Sequence, residues 1–311
     1  MNHKGIEKEV LANEKYLLFR SCAVSNKYPG IEAATKAVCS KLDILIDECD
    51  DQSCCGGSAF IFTAMGQITS TMLMSARNLA ISEERNLDML AMCNGCYKNL
   101  NEFGKYISQN PDVMNAVNEK LGEINKEFKG NSKVHHVLEL LFVRRQDLKQ
   151  KVVKPLRGMK FAVHYGCHYS FGAKECAIDD PFRTAVMEEI IINLGGECVK
   201  YAEEKTCCGS GILNNSYIQK EQSIPAAMIK LESLKGSGAD AVIVMCPYCM
   251  MTLDRMQFQM KMNTNRDYSM PVLHIAQLAG LALGASPVEL GLDSNLTNCE
   301  ALTLKLEAMN A

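Results

Sequence analysis

The chain has 311 residues, 47% of them hydrophobic, and a formal charge of −3 from well-mixed acidic and basic residues. That length can bury a large core and suits two domains of ordinary size. The mixed charge gives no reason to expect nucleic acid or an anionic membrane surface as a partner. Met1 to Lys15 is polar and shows no signal peptide. The longest apolar stretch, Ala59 to Met74, is interrupted by Thr63, Gln67, Thr69, Ser70 and Thr71, so it reads as a buried helix and not as a membrane span. A cytoplasmic protein is expected, and its fifteen cysteines then call for metal or redox chemistry, since structural disulfides belong mainly to oxidising compartments.

In chain order, Tyr16 to Arg20 predicts a short strand delivering Cys22. Tyr28-Pro29-Gly30 is a turn that launches a helix through Ala33, Ala34, Ala37 and Val38. Leu42 to Ile46 predicts a strand, Phe60 to Leu79 a long helix, Leu87 to Met92 an apolar run ending on Cys93, and Tyr97 to Ile107 a further helix. A charged segment, Asp112 to Gly130, reads as solvated helix, and Val134 to Phe142 leads into a basic stretch from Arg144 to Lys154. Pro155 and Gly158 end that stretch and place a domain boundary between residues 157 and 158. The second half repeats the plan: strand Met159 to Tyr165, helix Phe182 to Leu194, segment Glu197 to Ala202, helix Pro225 to Leu234 and strand Ala241 to Met245. Strands alternating with helices imply an α/β fold, one small parallel sheet flanked by helices in each of domains 1–157 and 158–311.

The cysteines carry the repeat. Cys54-Cys55-Gly56 returns 153 residues later as Cys207-Cys208-Gly209, and Cys93 with Cys96 returns at the same offset as Cys246 with Cys249. Cys22 precedes the first triplet and Cys167 the second, giving two sets of five. Each set lies where strands end and helices begin, the ligand edge of an open parallel sheet. A lone Cys-x-x-Cys pair fits zinc, an iron–sulfur cluster or a dithiol. Adjacent cysteines point to opposite faces of a strand, so both reach one site only if the chain turns; Gly56 and Gly57, and Gly209 with Gly211, allow that turn. A tetrahedral zinc ion leaves a fifth thiolate unexplained, and five thiolates from three segments suggest a multi-iron cluster.

In combination, several motifs resemble the B subunit of heterodisulfide reductase, whose members carry two cysteine-rich "CCG" domains. They are Asn26-Lys27-Tyr28-Pro29-Gly30-Ile31-Glu32, Cys54-Cys55, Cys93-Asn94-Gly95-Cys96-Tyr97, Val163-His164-Tyr165-Gly166-Cys167-His168, Cys207-Cys208-Gly209 and Cys246-Pro247-Tyr248-Cys249. The resemblance spans about Leu17 to Met260. It implies two noncubane [4Fe-4S] clusters, one on Cys22, Cys54, Cys55, Cys93 and Cys96, the other on Cys167, Cys207, Cys208, Cys246 and Cys249. It further implies a disulfide reductase of methanogenesis, in which the heterodisulfide of coenzymes M and B, or a related disulfide, is cleaved between the clusters. The partners implied are a ferredoxin-like C subunit and a flavin-bearing A subunit, with hydrogenase or formate dehydrogenase as a further partner. The competing readings are an electron-transfer subunit of another CCG-type oxidoreductase complex and a zinc-stabilised scaffold.

His164 and His168 flank Cys167 and serve either as packing and hydrogen bonds to cluster sulfur or as proton donors to a departing thiolate. Lys27, Lys98 and Arg255 are candidate partners for an anionic substrate, with surface solvation the commoner role. His135, His136 and His274 sit beside apolar residues and read as structural. Cys39 and Cys198 read as small buried residues, Cys49 and Cys299 have no partner at metal spacing, and Cys176 reads first as outside both sets, with an additional ligand or a redox thiol near the second site as the alternative. The methionines Met250, Met251, Met256, Met260 and Met262 read as packing.

Overall fold

The computed structural model describes residues 13–57, 68–172, 185–210 and 220–310. The first half runs β1 (Lys15–Phe19), α1 (Cys22–Lys27), α2 (Pro29–Lys41), β2 (Leu45–Asp47), α3 (Ile68–Arg85), β3 (Met89–Ala91), α4 (Asn94–Gln109), α5 (Pro111–Gly122), β4 (Val134–His136), α6 (Val137–Val143) and α7 (Arg145–Lys151). The second runs β5 (Lys160–His164), α8 (Cys167–Gly172), α9 (Val186–Asn193), β6 (Glu197–Val199), α10 (Lys220–Lys235), β7 (Ala241–Val244), α11 (Pro247–Thr264), β8 (Val272–His274), α12 (Ile275–Ala282), a short 3-10 turn (Leu292–Ser294) and α13 (Glu300–Asn310).

Each half builds a four-stranded parallel sheet, in the order β2-β1-β3-β4 and β6-β5-β7-β8. Helices cover both faces, which is why the inner strands are unbroken apolar runs: Tyr16, Leu17, Leu18 and Phe19 of β1 are all fully buried, as are Ala241 to Val244 of β7.

The strand–helix alternation and the parallel sheets match the sequence reading, and several ends move for local reasons. Leu42 caps α2 and Asp43 takes a left-handed φ of 60°, so β2 starts at Leu45. The charged helix stops at Gly122, and the chain reverses through Asn125 at φ 55°. Helix α10 runs through Pro225 instead of starting there, forgoing one backbone hydrogen bond. The fourth strand of each sheet, β4 and β8, is not predicted from the sequence: three residues are too short to show a period. Residues Phe60 to Gln67, Phe182 to Thr184 and Cys176 lie outside the described residues.

Each half lends its last helices to the other. Helix α12 packs on α2, while α6 and α7 pack on α9. The approach at α2 is close enough that a Cβ at Gly30 would come within 2.7 Å of the Gly291 and Leu290 carbonyl oxygens. Tyr28 also donates to the buried carboxylate of Asp254 in α11, at 2.7 Å.

Candidate metal centres

The carboxyl edge of each sheet gathers one set of five cysteines. In the first half Cys22 opens α1 just beyond β1, Cys54 and Cys55 follow β2, and Cys93 caps α4 just beyond β3. In the second, Cys167 opens α8, Cys207 and Cys208 follow β6, and Cys246 caps α11. Cys96 and Cys249 lie one turn inside their helices, so each Cys-x-x-Cys pair presents both sulfurs at a helix N-terminus, where the helix dipole favours thiolate. Pro247 suits the first turn of α11, where its missing N–H would have had no partner.

In the first set the Sγ atoms of Cys54 and Cys22 lie 3.9 Å apart and those of Cys55 and Cys96 3.4 Å apart. The backbone turns between the adjacent cysteines as the glycines suggest: Gly56 has φ +75° and Gly209 φ +83°. Each places its own N–H on the preceding sulfur, Gly56 on Cys54 at 3.4 Å and Gly209 on Cys207 at 3.3 Å.

The electrostatics of the adjacent pairs repeat with the geometry, whereas Cys93 is raised, first by its bond to Cys246, and its counterpart Cys246 is lowered by its bonds to Cys249 and Cys93. Cys54 is held down to about 3 by hydrogen bonds from Cys22, Cys55 and the Gly56 and Gly57 backbone, and Cys207 to about 2 by those from Cys167, Cys208 and Gly209. Their neighbours Cys55 and Cys208 are pushed up to about 12, first by those thiolates and then by burial. In each adjacent pair one cysteine is thus held as thiolate beside a neighbour held as thiol, as expected of sulfurs gathered where a cation belongs. By contrast, burial raises Cys39 and Cys198 to about 12 and Cys299 to about 11, and they remain thiols.

Each set faces a cavity. The second is lined by Cys167, His168, Cys207, Cys208, Cys246 and Cys249 together with Asn94 and Gly95 from the first half. The first is lined by Cys22, Cys54, Cys55, Cys93 and Cys96 together with Tyr248 from the second half. Gly95 and Tyr248, equivalent in the repeat, border both cavities. Asn94 stitches the halves there, donating at 2.7 Å to the Tyr165 carbonyl. Gly166, at φ +77°, is a position the cysteine spacing does not single out: a Cβ on it would come within 2.9 Å of Cys249 Sγ. Soft donors without carboxylates fit iron–sulfur ligation.

His168 is half-buried on the second cavity wall, its Nδ1 3.8 Å from Cys167 Sγ. His164 is fully enclosed. Neither of its ring nitrogens closes a hydrogen bond, though the Glu204 backbone is near, and burial pushes it down to about 3. One nitrogen groups with Cys208 and Cys249, the three ligand atoms lying within 4.8 Å of one another. His136 and His274 are structural: each caps the following helix, Nδ1 accepting from Leu138 at 3.0 Å and from Ala276 at 3.3 Å. His135 reaches Asp88 at 3.3 Å. Lys27 is exposed at the end of α1, Lys98 pairs with Glu102 at 3.6 Å, and Arg255 lies half-buried beside Tyr28. Among the methionines, Met250, Met251, Met256 and Met260 are core, and Met262 is 71% exposed.

A family of proteins described as having a cysteine-rich CCG domain matches twice, over residues 16–101 and 161–254. The B subunit of a ferredoxin/F(420)H(2)-dependent CoB-CoM heterodisulfide reductase of Methanosarcina acetivorans is 35% identical over 291 residues, covering 93% of this chain and 96% of that protein. The chain belongs to the family of heterodisulfide reductase B subunits. A protein of Archaeoglobus profundus described as like the heterodisulfide reductase B subunit is 32% identical over 88% of this chain and 92% of its own. The "8-methylmenaquinol:fumarate reductase membrane anchor subunit" of Wolinella succinogenes is 29% identical over 93% of this chain and 99% of its own. In three dimensions a hypothetical protein from Helicobacter pylori superposes with a TM-score of 0.72 at 16% identity, over 95% of this chain and 57% of that one. That likeness extends the fold alone. Membership of this family, with relatives named as reductases, supports an iron–sulfur oxidoreductase that acts as a subunit of a larger complex. Among the described residues no helix is long and apolar enough to cross a membrane.

Proposed function

We propose that the chain is the catalytic subunit of a heterodisulfide reductase, reducing the disulfide of coenzymes M and B, or a related one, to two thiols between two noncubane [4Fe-4S] clusters. The observation that carries this reading is that both five-cysteine sets are complete and open on cavities that share Gly95 and Tyr248. We place the domains at 1–157 and 158–311, with Cys22, Cys54, Cys55, Cys93 and Cys96 holding the first cluster and Cys167, Cys207, Cys208, Cys246 and Cys249 the second. When bound, each cluster supplies one electron, so the pair meets the two-electron demand of one disulfide. The shared wall positions the disulfide so that each sulfur faces one cysteine set.

The histidines divide the remaining work. His168, on the cavity wall, is placed to give a proton to a departing thiolate. His164 is kept neutral by burial, and the ring nitrogen near Cys208 and Cys249 would hydrogen-bond to cluster sulfur. The electrons come from a ferredoxin-like C subunit and a flavin-bearing A subunit, with hydrogenase or formate dehydrogenase behind them, in the cytoplasm of an organism that carries out methanogenesis or related thiol metabolism.

The test is thiol release from the heterodisulfide with a reduced viologen as donor, under exclusion of oxygen. Two thiols per two viologen radicals oxidised supports the assignment. A second reading, an electron-transfer subunit, is favoured by the similarity to the fumarate reductase subunit. It predicts clusters that the viologen reduces and no thiol release from any disulfide offered.

A further inference from the structure

Helix α10 buries a lysine. Lys230 has no exposed surface, and it is the only Lys or Arg that is buried among the described residues. Its Nζ donates to the Glu203 carbonyl, in the segment just before Cys207, and lies 5.3 Å from the centroid of the Tyr201 ring. It makes no ion pair with a carboxylate among the described residues. An ammonium ion taken out of water with only a carbonyl and a ring face beside it is costly unless negative charge lies close by. Burial pulls Lys230 below the ordinary lysine range; what works against it, in order, is negative charge on the sulfurs of Cys208, Cys249 and Cys207, which a bound cluster keeps as thiolates, and then Glu203.

The first half is built differently at the equivalent place. There the repeat puts Arg77, half-buried, whose guanidinium reaches solvent and donates at 2.6 Å to the Asp51 carbonyl in an exposed hydrogen bond. Of the other cations near the first set, Arg20 is offset by Glu32 at 3.3 Å and Asp50 at 2.9 Å, and Lys98 by Glu102 at 3.6 Å. Solvent and carboxylates therefore screen the first set's cations, and among the described residues the second set alone has a desolvated positive charge. Adding an electron makes a cluster more negative, and a fixed cation nearby stabilises that reduced form.

We infer that Lys230 raises the reduction potential of the second centre above that of the first. An electron delivered by a one-electron iron–sulfur carrier then settles on the second centre, the one whose cavity His168 lines. This inference rests on the proposal that each set holds a cluster, and iron and sulfide per chain check that proposal separately.

The test is a mediated redox titration of the cluster-loaded protein, followed by electron paramagnetic resonance, on the native protein and three variants. Lys230→Gln removes the charge and keeps a donor for the Glu203 carbonyl; Lys230→Arg keeps the charge; Arg77→Gln is the mirror control. With two clusters present, Lys230→Gln should move the higher-potential wave to more negative potential and leave the other in place, while Lys230→Arg and Arg77→Gln leave both waves where they were. Waves that stay put in Lys230→Gln overturn the inference and leave the two-cluster reading intact, as does an equal shift in Lys230→Arg, which makes the effect one of packing. A native protein with one cluster or none overturns both.

Discussion

At the level of single residues, the adjacent cysteines are the least interchangeable part of each centre. Cys55 is 4% exposed, 3.4 Å from Cys96, and joined to Cys54 by one peptide, so with the cluster ligands proposed above serine there removes a soft donor. Cys55→Ser is expected to lower iron and sulfide per chain by about half, leaving the second cluster's spectrum in place; unchanged iron would remove Cys55 from the ligand set. The buried histidines predict a pH response. Burial lowers His136 to about 3 and His274 to about 4 from an ordinary 6.5, so both are neutral in the folded chain. A depressed histidine contributes stability that is complete above about pH 6.5 and is lost as pH falls toward the folded values, because the unfolded chain then binds the extra proton. The melting temperature should therefore fall between about pH 7.5 and pH 5. His274→Asn, which keeps a capping side chain and cannot titrate, should flatten that slope; an identical slope in the variant would assign the pH dependence to other groups.

Between elements, the contact of α2 with the segment around Leu290 and Gly291 ties the two halves together. Because a Cβ at Gly30 would sit 2.7 Å from two backbone oxygens, Gly30→Leu has to push the backbones apart. We expect a loss of about 1–3 kcal/mol or more in unfolding free energy, measured by urea titration; a change below about 0.5 kcal/mol would mean that the halves are held elsewhere. The same elements show what a reader of the sequence can and cannot see. The strands β1, β5 and β7 are legible because each holds three or four consecutive apolar residues and a glycine, serine or cysteine follows within three positions, and the ligand edge is legible because the cysteines punctuate it. The helix exchange, α12 onto α2 and α6 onto α9, is invisible, since an apolar helix face does not say which half it will cover. Likewise His136 and His274 look structural in the sequence, but their role as caps depends on β4 and β8, too short to leave a period. The close approach at Gly166 and the burial of Lys230 are equally hidden, because the surroundings of a glycine or a lysine are set by chain segments distant in sequence.

Over the whole molecule, a tandem repeat has been folded so that each half borders the other's site. Asn94 and Gly95 line the second cavity and Tyr248 lines the first, so neither site is complete on its own half. That mutual completion suits one disulfide shared between two one-electron centres better than two separate electron stores. Whether both cysteine sets hold iron–sulfur clusters is decided by the metal content of protein purified without oxygen. Two four-iron clusters predict about eight iron and about eight acid-labile sulfide per chain, with broad brown absorbance and little zinc. About four of each would leave one working centre and an electron-transfer role, and zinc without sulfide would contradict the account and leave a metal-stapled scaffold.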